Sequence, residues 1–215
     1  GLTEWKREQI KDSRLIANPG CYATAVLLGL LPLLEERVID PSQIIIHASS
    51  GLSGAGKTLT EQTHHVRSSE NVRLYKMNQH QHIPEIESIA EDITGQQITV
   101  SLATYLVPLN RGIMATMTLQ PVVEKTEAEW RTWFIEKYKQ EPFIRIGQTD
   151  PEIKSAAGSN YCDISVYLDT RTGRLTVVSV LDNMQKGAAG QAIQNANVIG
   201  GYPETLGLTQ QPFFI

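Results

Sequence analysis

Residues 51–58 read GLSGAGKT, and the apolar run QIIIHASS (43–50) leads into them. The eight letters fit G-x-x-x-x-G-K-[ST], the loop that cradles phosphates in many nucleotide hydrolases. How this stretch is read decides the fold. Such a loop needs a packed helix directly behind its lysine, whose amides and dipole hold the phosphates. The residues that follow Lys57, TLTEQTHHVRSS (58–69), have few apolar positions and no 3.6-residue stripe, so a helix there has little to dock with. These enzymes also need a metal-holding Asp at the end of an apolar strand. VVSVLD, ending at Asp182, offers one, but it reads as the second arm of a hairpin and not as a parallel neighbour. The loop is therefore read as a Gly/Ser turn with exposed amides, suited to an anion or a cofactor.

Around this loop, TEWKREQIKDS (3–13) is polar and reads as a frayed helix or loop, and RLIAN (14–18) as a short strand. PGCYATAVLLGLLPLLEERV (19–38) is apolar on most sides, hence a buried helix, which Pro32 kinks or shortens. Residues 60–82 are polar and irregular. PEIESIAEDITG (84–95) is a helix with Pro84 at its start and Gly95 at its end. QQITVSLATYLV (96–107) and GIMATMTLQPVV (112–123) are strands separated by PLNR. TEAEWRTWFIEKYKQ (126–140) is an amphipathic helix whose Thr126 and Glu129 form a capping box. YCDISVYLDT (161–170) and GRLTVVSVLDN (173–183) read as a hairpin, and KGAAGQAIQNANVIGG (186–201) as a final helix of small residues. Strands in sequential runs with helices around them predict an α+β fold with a mixed, largely antiparallel sheet.

The 215 residues are 41% hydrophobic and 20% charged, with formal net charge -4, which allows a sizeable core. No basic block points to nucleic acid. The longest apolar run, AVLLGLLPLL (25–34), is too short to span a bilayer, so no membrane partner is expected. Two cysteines are too few for a disulfide framework or a Cys-only zinc site, and a cytoplasmic setting follows.

NPGCYATA (18–25) carries chemistry. The turn Asn18-Pro19-Gly20 places Cys21 in the first turn of a helix, whose positive end lowers a thiol pKa and makes part of it thiolate at neutral pH. Cys21 is then either a nucleophile or a buried structural cysteine. NQHQHIPEIE (78–87) alternates His80 and His82, which share a face in extended chain, and Pro84 favours extended structure at Ile83. The pair supplies a general base for the cysteine, a hydrogen-bonded structural histidine, or metal ligands; Glu85 and Glu87 alone do not complete a zinc set, and no metal is expected. Arg111, in the turn PLNR, is a surface charge or a clamp for an anion. The Ala/Gly surface of the last helix calls for a close-packed partner, and nothing else in the chain is an obvious one.

Together the blocks ANPGCYATA, SSGLSGAGK, NQHQHIPEI, PLNRGIMATM, GSNYCDISV and DNMQKGAAGQAIQNAN resemble the N-acetyl-γ-glutamyl-phosphate reductases, NADP-dependent enzymes of arginine biosynthesis, in family order over nearly the whole chain. The resemblance implies a substrate domain like that of glyceraldehyde-phosphate and aspartate-semialdehyde dehydrogenases over residues 1–183. Residues 184–215 would be a helix and tail packing on an N-terminal dinucleotide-binding domain, of which no G-x-G-x-x-G is present here. A chain lacking that domain is expected to be inactive alone. The resemblance further implies Cys21 as nucleophile, His82 as base with His80 as fallback, and Asn18, His80, Glu85 and Arg111 toward the substrate. Ser53, Gly54, Ala55, Gly56 and Asn183 would lie toward NADPH. It implies a small acyl phosphate as substrate and a homodimer or homotetramer. An N-acetyl-aminoadipyl-phosphate reductase, one methylene different in substrate, and a cysteine hydrolase using Cys21 and His82 are the alternatives.

Overall fold

In a computed structural model, which describes residues 1–58, 60–61, 63–147 and 149–212, the strands form one mixed sheet backed by helices. The described strands are β1 (Ile39–Ser50), β2 (Arg73–Leu74), β3 (Val100–Leu106), β4 (Ile113–Pro121), β5 (Ile144–Ile146), β6 (Cys162–Asp169) and β7 (Arg174–Leu181), in the order β2-β3-β1-β4-β7-β6-β5. The pairs β1–β3 and β5–β6 are parallel and the rest antiparallel. The helices are α1 (Thr3–Lys11), α2 (Cys21–Glu35), α3 (His65–Ser68), α4 (His82–Thr94), α5 (Glu127–Tyr138), α6 (Ile153–Ala156) and α7 (Gly190–Ile199). This is the expected α+β class with a largely antiparallel sheet.

Helix α2 lies across the sheet and is buried from Tyr22 to Leu34. It rests on the alternating inward residues of β4, Ile113, Ala115, Met117 and Leu119. Gly29 permits this approach: a Cβ there would lie 2.4 Å from Met117 Cε. Pro32 does not break the helix. It lacks the N–H that would bond the Leu28 carbonyl, and the buried Tyr138 hydroxyl from α5 donates to that carbonyl instead. Other local signals act as read: Thr126 and Glu129 form the capping box of α5, and Gly95 ends α4 in a left-handed turn with φ 65°. The hairpin β6–β7 turns at Gly173, φ 69°.

Three sequence readings are corrected. RLIAN is not a strand: the segment 14–18 finds no sheet edge, and its Ala17 carbonyl accepts from the Gly1 amino group at 2.9 Å. Strands β3 and β4 form on either side of PLNR as read, and β1, apolar along its inner face, lies between them in the sheet. Ile83 is helical, not extended, since α4 begins at His82 and holds Pro84 in its first turn, where no amide donor is needed. Finally, α7 has a partner inside the chain: it packs on α1, which is helical on both sides of a kink at Lys6. A buried polar network ties this segment to α1. Lys186, fully buried, donates to the buried Glu4 carboxylate and to Gln194 Oε1 at 2.8 Å; Thr3 donates to Asn195 Oδ1 at 2.7 Å; Arg7 bridges Glu141 and Glu204. The short strand β5 and helix α6 lay outside the sequence reading.

The register sets where loops gather. Leu106, Ser50, Ile113 and Leu181 stand side by side on β3, β1, β4 and β7. The segments after Ser50, after Leu106 and after Leu181 therefore leave the sheet at one end, and the starts of α2 and α4 lie at that end too.

Candidate active site

GLSGAGKT does not form a phosphate loop. Residues Leu52–Ala55 make one 3-10 turn, and its amides are engaged by the β3–β4 connection: Gly51 N–H donates to Gly112 O (2.9 Å), Leu52 N–H to Leu109 O (2.8 Å) and Ser53 N–H to Asn110 O (3.1 Å). Past Lys57 the described helix is the single turn α3, largely exposed, and no docked helix points its dipole at the loop. Asp182 is not a metal ligand either. Its buried carboxylate accepts from Met184 N–H (2.7 Å), Gln185 N–H (3.2 Å), Gly158 N–H (2.6 Å) and Arg111 Nη1 (3.4 Å). It thereby caps a π-helix, Gln185–Ala189, that leads into α7.

That π-helix forms one wall of a recess of about 250 Å³ lined by Cys21, Tyr22, Ser53, Gly54, Tyr75, Lys76, His80, Gln81, His82, Asn183, Met184, Gly187 and Ala188. Cys21 sits at the bare N-terminus of α2, where no side chain caps the helix and the amides of Cys21 and Tyr22 reach its sulfur. Gly187 touches it from across the recess; a Cβ there would lie 2.7 Å from Cys21 Cβ. A larger open groove of about 1020 Å³ near Val122 and Trp130 holds neither cysteine nor histidine.

His80 and His82 do meet, but through a turn and not an extended strand, with Gln81 in helical conformation and ring centroids 4.6 Å apart. His82 N–H donates to His80 Nδ1 at 3.2 Å, which places the proton of a neutral His80 on Nε2. Tyr22 contacts both rings edge-on. His82 Nε2 lies against Gly20, where a Cβ would come within 2.1 Å, and 3.8 Å from Glu85. Glu85 fixes the turn before the cysteine by accepting from Gly20 N–H at 2.9 Å.

Electrostatics here run against the sequence expectation of a thiolate. Burial pushes the Cys21 thiol up to about 11, beyond what the helix amides offset, and Glu85 adds to the rise. Burial, His82 and Lys76 lower His80 to about 4, and burial and Lys76 lower His82. In the chain by itself the resting pair is a neutral thiol beside neutral imidazoles. Alkylation requires the thiolate. At pH 7 Cys21 is expected to react about 300-fold more slowly than a free thiol of pKa ~8.5, and its rate to rise about tenfold per pH unit up to about pH 10. Cys162, buried beside Ser179 and pushed up to about 12, stays unreacted. Peptide-resolved mass spectrometry measures both; a plateau for Cys21 near pH 8 would overturn the burial argument.

Of the residues singled out from sequence, Cys21, Ser53, Gly54, His80, His82 and Asn183 line the recess. Asn183 braces it, accepting from Gly112 N–H (2.7 Å) and donating to Ser53 Oγ (3.0 Å). Glu85 stands behind the turn before Cys21. Ala55 and Gly56 continue the loop away from the recess. Asn18 faces α7, bonded to Asn195 and Ala188, and Arg111 is bound to Asp182 and half-exposed. Tyr22, Tyr75, Lys76 and Gly187 were missed. Tyr22 adjoins the cysteine and Tyr75 and Lys76 precede the histidine block, so proximity to those blocks was the available signal. Among the described residues no group of three His, Cys, Asp or Glu side chains is placed to hold a metal, and no helix is long and apolar enough to cross a membrane.

The chain is 99% identical over all 215 residues to an N-acetyl-gamma-glutamyl-phosphate reductase of Exiguobacterium sibiricum, and 49% identical over 217 aligned residues to one of Bacillus cereus. It spans 63% of the length of each of these curated relatives. Among solved structures it superposes on aspartate semialdehyde dehydrogenase II from Vibrio cholerae with TM-score 0.71 at 19% identity, covering 94% of this chain and 68% of that one. A probable aspartate-semialdehyde dehydrogenase from Pseudomonas aeruginosa gives 0.69 at 16% identity, covering 91% and 66%. At those identities the likeness is one of fold. A family model described as semialdehyde dehydrogenase, dimerisation domain, matches residues 21–183, from the nucleophile candidate to Asn183. The chain belongs to the semialdehyde dehydrogenase family and carries its dimerisation domain.

Proposed function

We propose that this chain is the catalytic part of a reductase that converts N-acetyl-glutamyl 5-phosphate to N-acetyl-glutamate 5-semialdehyde with NADPH, in arginine biosynthesis. The observation that carries the proposal is the recess itself: one cysteine at a bare helix N-terminus, facing two neutral imidazoles, in a chain 99% identical to a reductase of that name.

In this reading the Cys21 sulfur attacks the acyl carbon as its proton passes to His82. The C–S bond forms, the C–O bond to phosphate breaks, and a thioester with free phosphate results. NADPH, when bound, supplies the hydride that turns the thioester into a thiohemiacetal. The amides at the start of α2 stabilise the oxyanion. The oxyanion then collapses to the aldehyde carbonyl as the C–S bond breaks, and His82 returns its proton to the departing sulfur, so that the Cys21 thiol is regenerated. Thiolate chemistry suits an acyl phosphate, because a thioester accepts hydride far better than the ester a hydroxyl nucleophile would leave.

The residues present fit one end of the cofactor. The Asn183 amide, with Ser53 and Gly54, lines the recess where a nicotinamide carboxamide would meet it. Its phosphates would be held by a dinucleotide-binding domain beyond these residues, against which residues 184–215 would pack. The exposed apolar residues Leu15, Ile193, Ile199, Tyr202 and Leu206 support that placement. The open face of the sheet, with Ile45 and His47 exposed and Thr116, Thr118 and Val178 half-buried, supports assembly into a homodimer or homotetramer.

The test is to trap the intermediate. Intact protein mixed with the acyl phosphate in the absence of NADPH and quenched in acid should carry one acyl group, released by hydroxylamine and mapped by mass spectrometry to Cys21. An acyl group on another residue, or none, would overturn the assignment.

A further inference from the structure

The mechanism above leaves one charge in the recess unused. Among the described residues, Lys76 is the only Lys, Arg, Asp or Glu that lines the cavity of Cys21, His80 and His82. Its ammonium rests 5.3 Å from the centroid of Tyr75, over a ring face and not against a carboxylate. The other basic candidate, Arg111, is bound to the buried Asp182 and stands outside the recess.

The backbone holds Lys76 in place. It has φ 51°, and Asn78 follows at φ 55°, a conformation that side-chain-bearing residues seldom adopt. The turn is pinned to β3 by Tyr75 N–H to Thr104 O (2.8 Å) and Asn78 N–H to Leu102 O (3.4 Å), and closed by Gln79 N–H to Lys76 O (3.0 Å). The field of Lys76 reaches both imidazoles, whose protonation it disfavours. Lys76 is exposed, so its ammonium stands at the mouth of the recess beside the nucleophile, and a cation there without a counter-charge meets an anion that enters from solvent. An anion seated there also offsets the field that keeps the histidines from taking up a proton.

We propose that Lys76 is the anion-binding residue of this recess, holding an oxyanion group of the substrate beside Cys21. The identity of that group as phosphoryl or carboxylate rests on the acyl-phosphate reading; the anion site itself does not.

The experiment has two arms on the intact protein, with K76M and K76R. The first compares alkylation of Cys21 by iodoacetate, an anion, with that by neutral iodoacetamide. The iodoacetate-to-iodoacetamide rate ratio is expected to fall about tenfold in K76M, the size of a lost charge-assisted hydrogen bond, and to be largely kept in K76R. An unchanged ratio in K76M overturns the proposal. Methionine meets no new backbone strain where lysine already sits, so an unaltered melting temperature is the folding control. The second arm follows the reverse reaction, semialdehyde plus inorganic phosphate. A KM for phosphate raised about tenfold with that for the semialdehyde unchanged assigns the phosphoryl group; the opposite pattern assigns the carboxylate. Both KM values unchanged overturns the proposal for the substrate. A ratio that falls in a protein that does not turn over the acyl phosphate keeps the anion site and removes the reductase reading.

Discussion

Replacing Cys21 by alanine is expected to lower the kcat of the intact protein in the proposed reductase reaction by about 10⁴-fold or more, the scale on which enzymes lose rate when a covalent nucleophile is deleted. The fold should survive. Cys21 is the first residue of α2, and the apolar residues that bury the helix, Tyr22 to Leu34, are untouched. Serine should be nearly as inactive, since its hydroxyl is a weaker nucleophile and leaves an ester that accepts hydride poorly. NADPH oxidation measured alongside the melting temperature checks both points. Activity of the alanine variant within tenfold of the parent would remove Cys21 from the mechanism.

The largest loss of stability is expected from Lys186→Met. Lys186 and Glu4 are both fully buried, and their ion pair is completed by Gln194. Removing the lysine leaves a carboxylate without its counter-charge in the interior, which costs about 3–5 kcal/mol. For a domain of this size that lowers Tm by roughly 6–20 °C. The pair Glu4→Gln with Lys186→Met should recover much of the loss, because a neutral amide can still bond Gln194. The pH dependence has a definite sign. Lys186 holds the Glu4 carboxyl below its ordinary range in spite of burial. Its contribution is therefore present above the unfolded value of ~4.3 and is lost as pH falls through the folded value. The gap in Tm between parent and single variant should be widest near neutrality and narrow below about pH 4. A gap that stays constant with pH would mean that packing, not charge, carries the effect.

Much of this architecture was legible wherever a local rule and the tertiary structure agree. Thr126 with Glu129, Gly95, Gly173 and the apolar run after Cys21 each announce their elements, and the failure of TLTEQTHHVRSS to form an amphipathic stripe weighed against the nucleotide-hydrolase fold. What was not legible depends on distant partners. Pro32 reads as a helix breaker until Tyr138 is seen to bond the carbonyl it frees. The polar α1 reads as frayed until Glu4 and Thr3 meet Lys186 and Asn195. At the site, the cysteine and histidine blocks could be named from composition and order, but the pKa of Cys21 could not. A helix start lowers it, burial raises it, and only the three-dimensional surroundings decide which prevails. Lys76 was passed over because a lysine in a polar loop looks like any other solvated charge.

The contact between Gly187 and Cys21 also bears on how the protein comes into being on a ribosome. The sulfur emerges well before the wall opposite it, which is translated on the order of ten seconds later at ~5–20 residues per second. The strands that carry the surrounding loops arrive in between. Until then the nascent chain carries an open thiol at the start of a helix whose sheet is still incomplete. A high resting pKa is useful in that interval only once the helix is buried; before it, Cys21 is an ordinary free thiol. Oxidants and electrophiles in the cell therefore have their best access to this residue during synthesis, and chaperone contact with the unburied face of α2 would shelter the one atom on which the proposed chemistry depends.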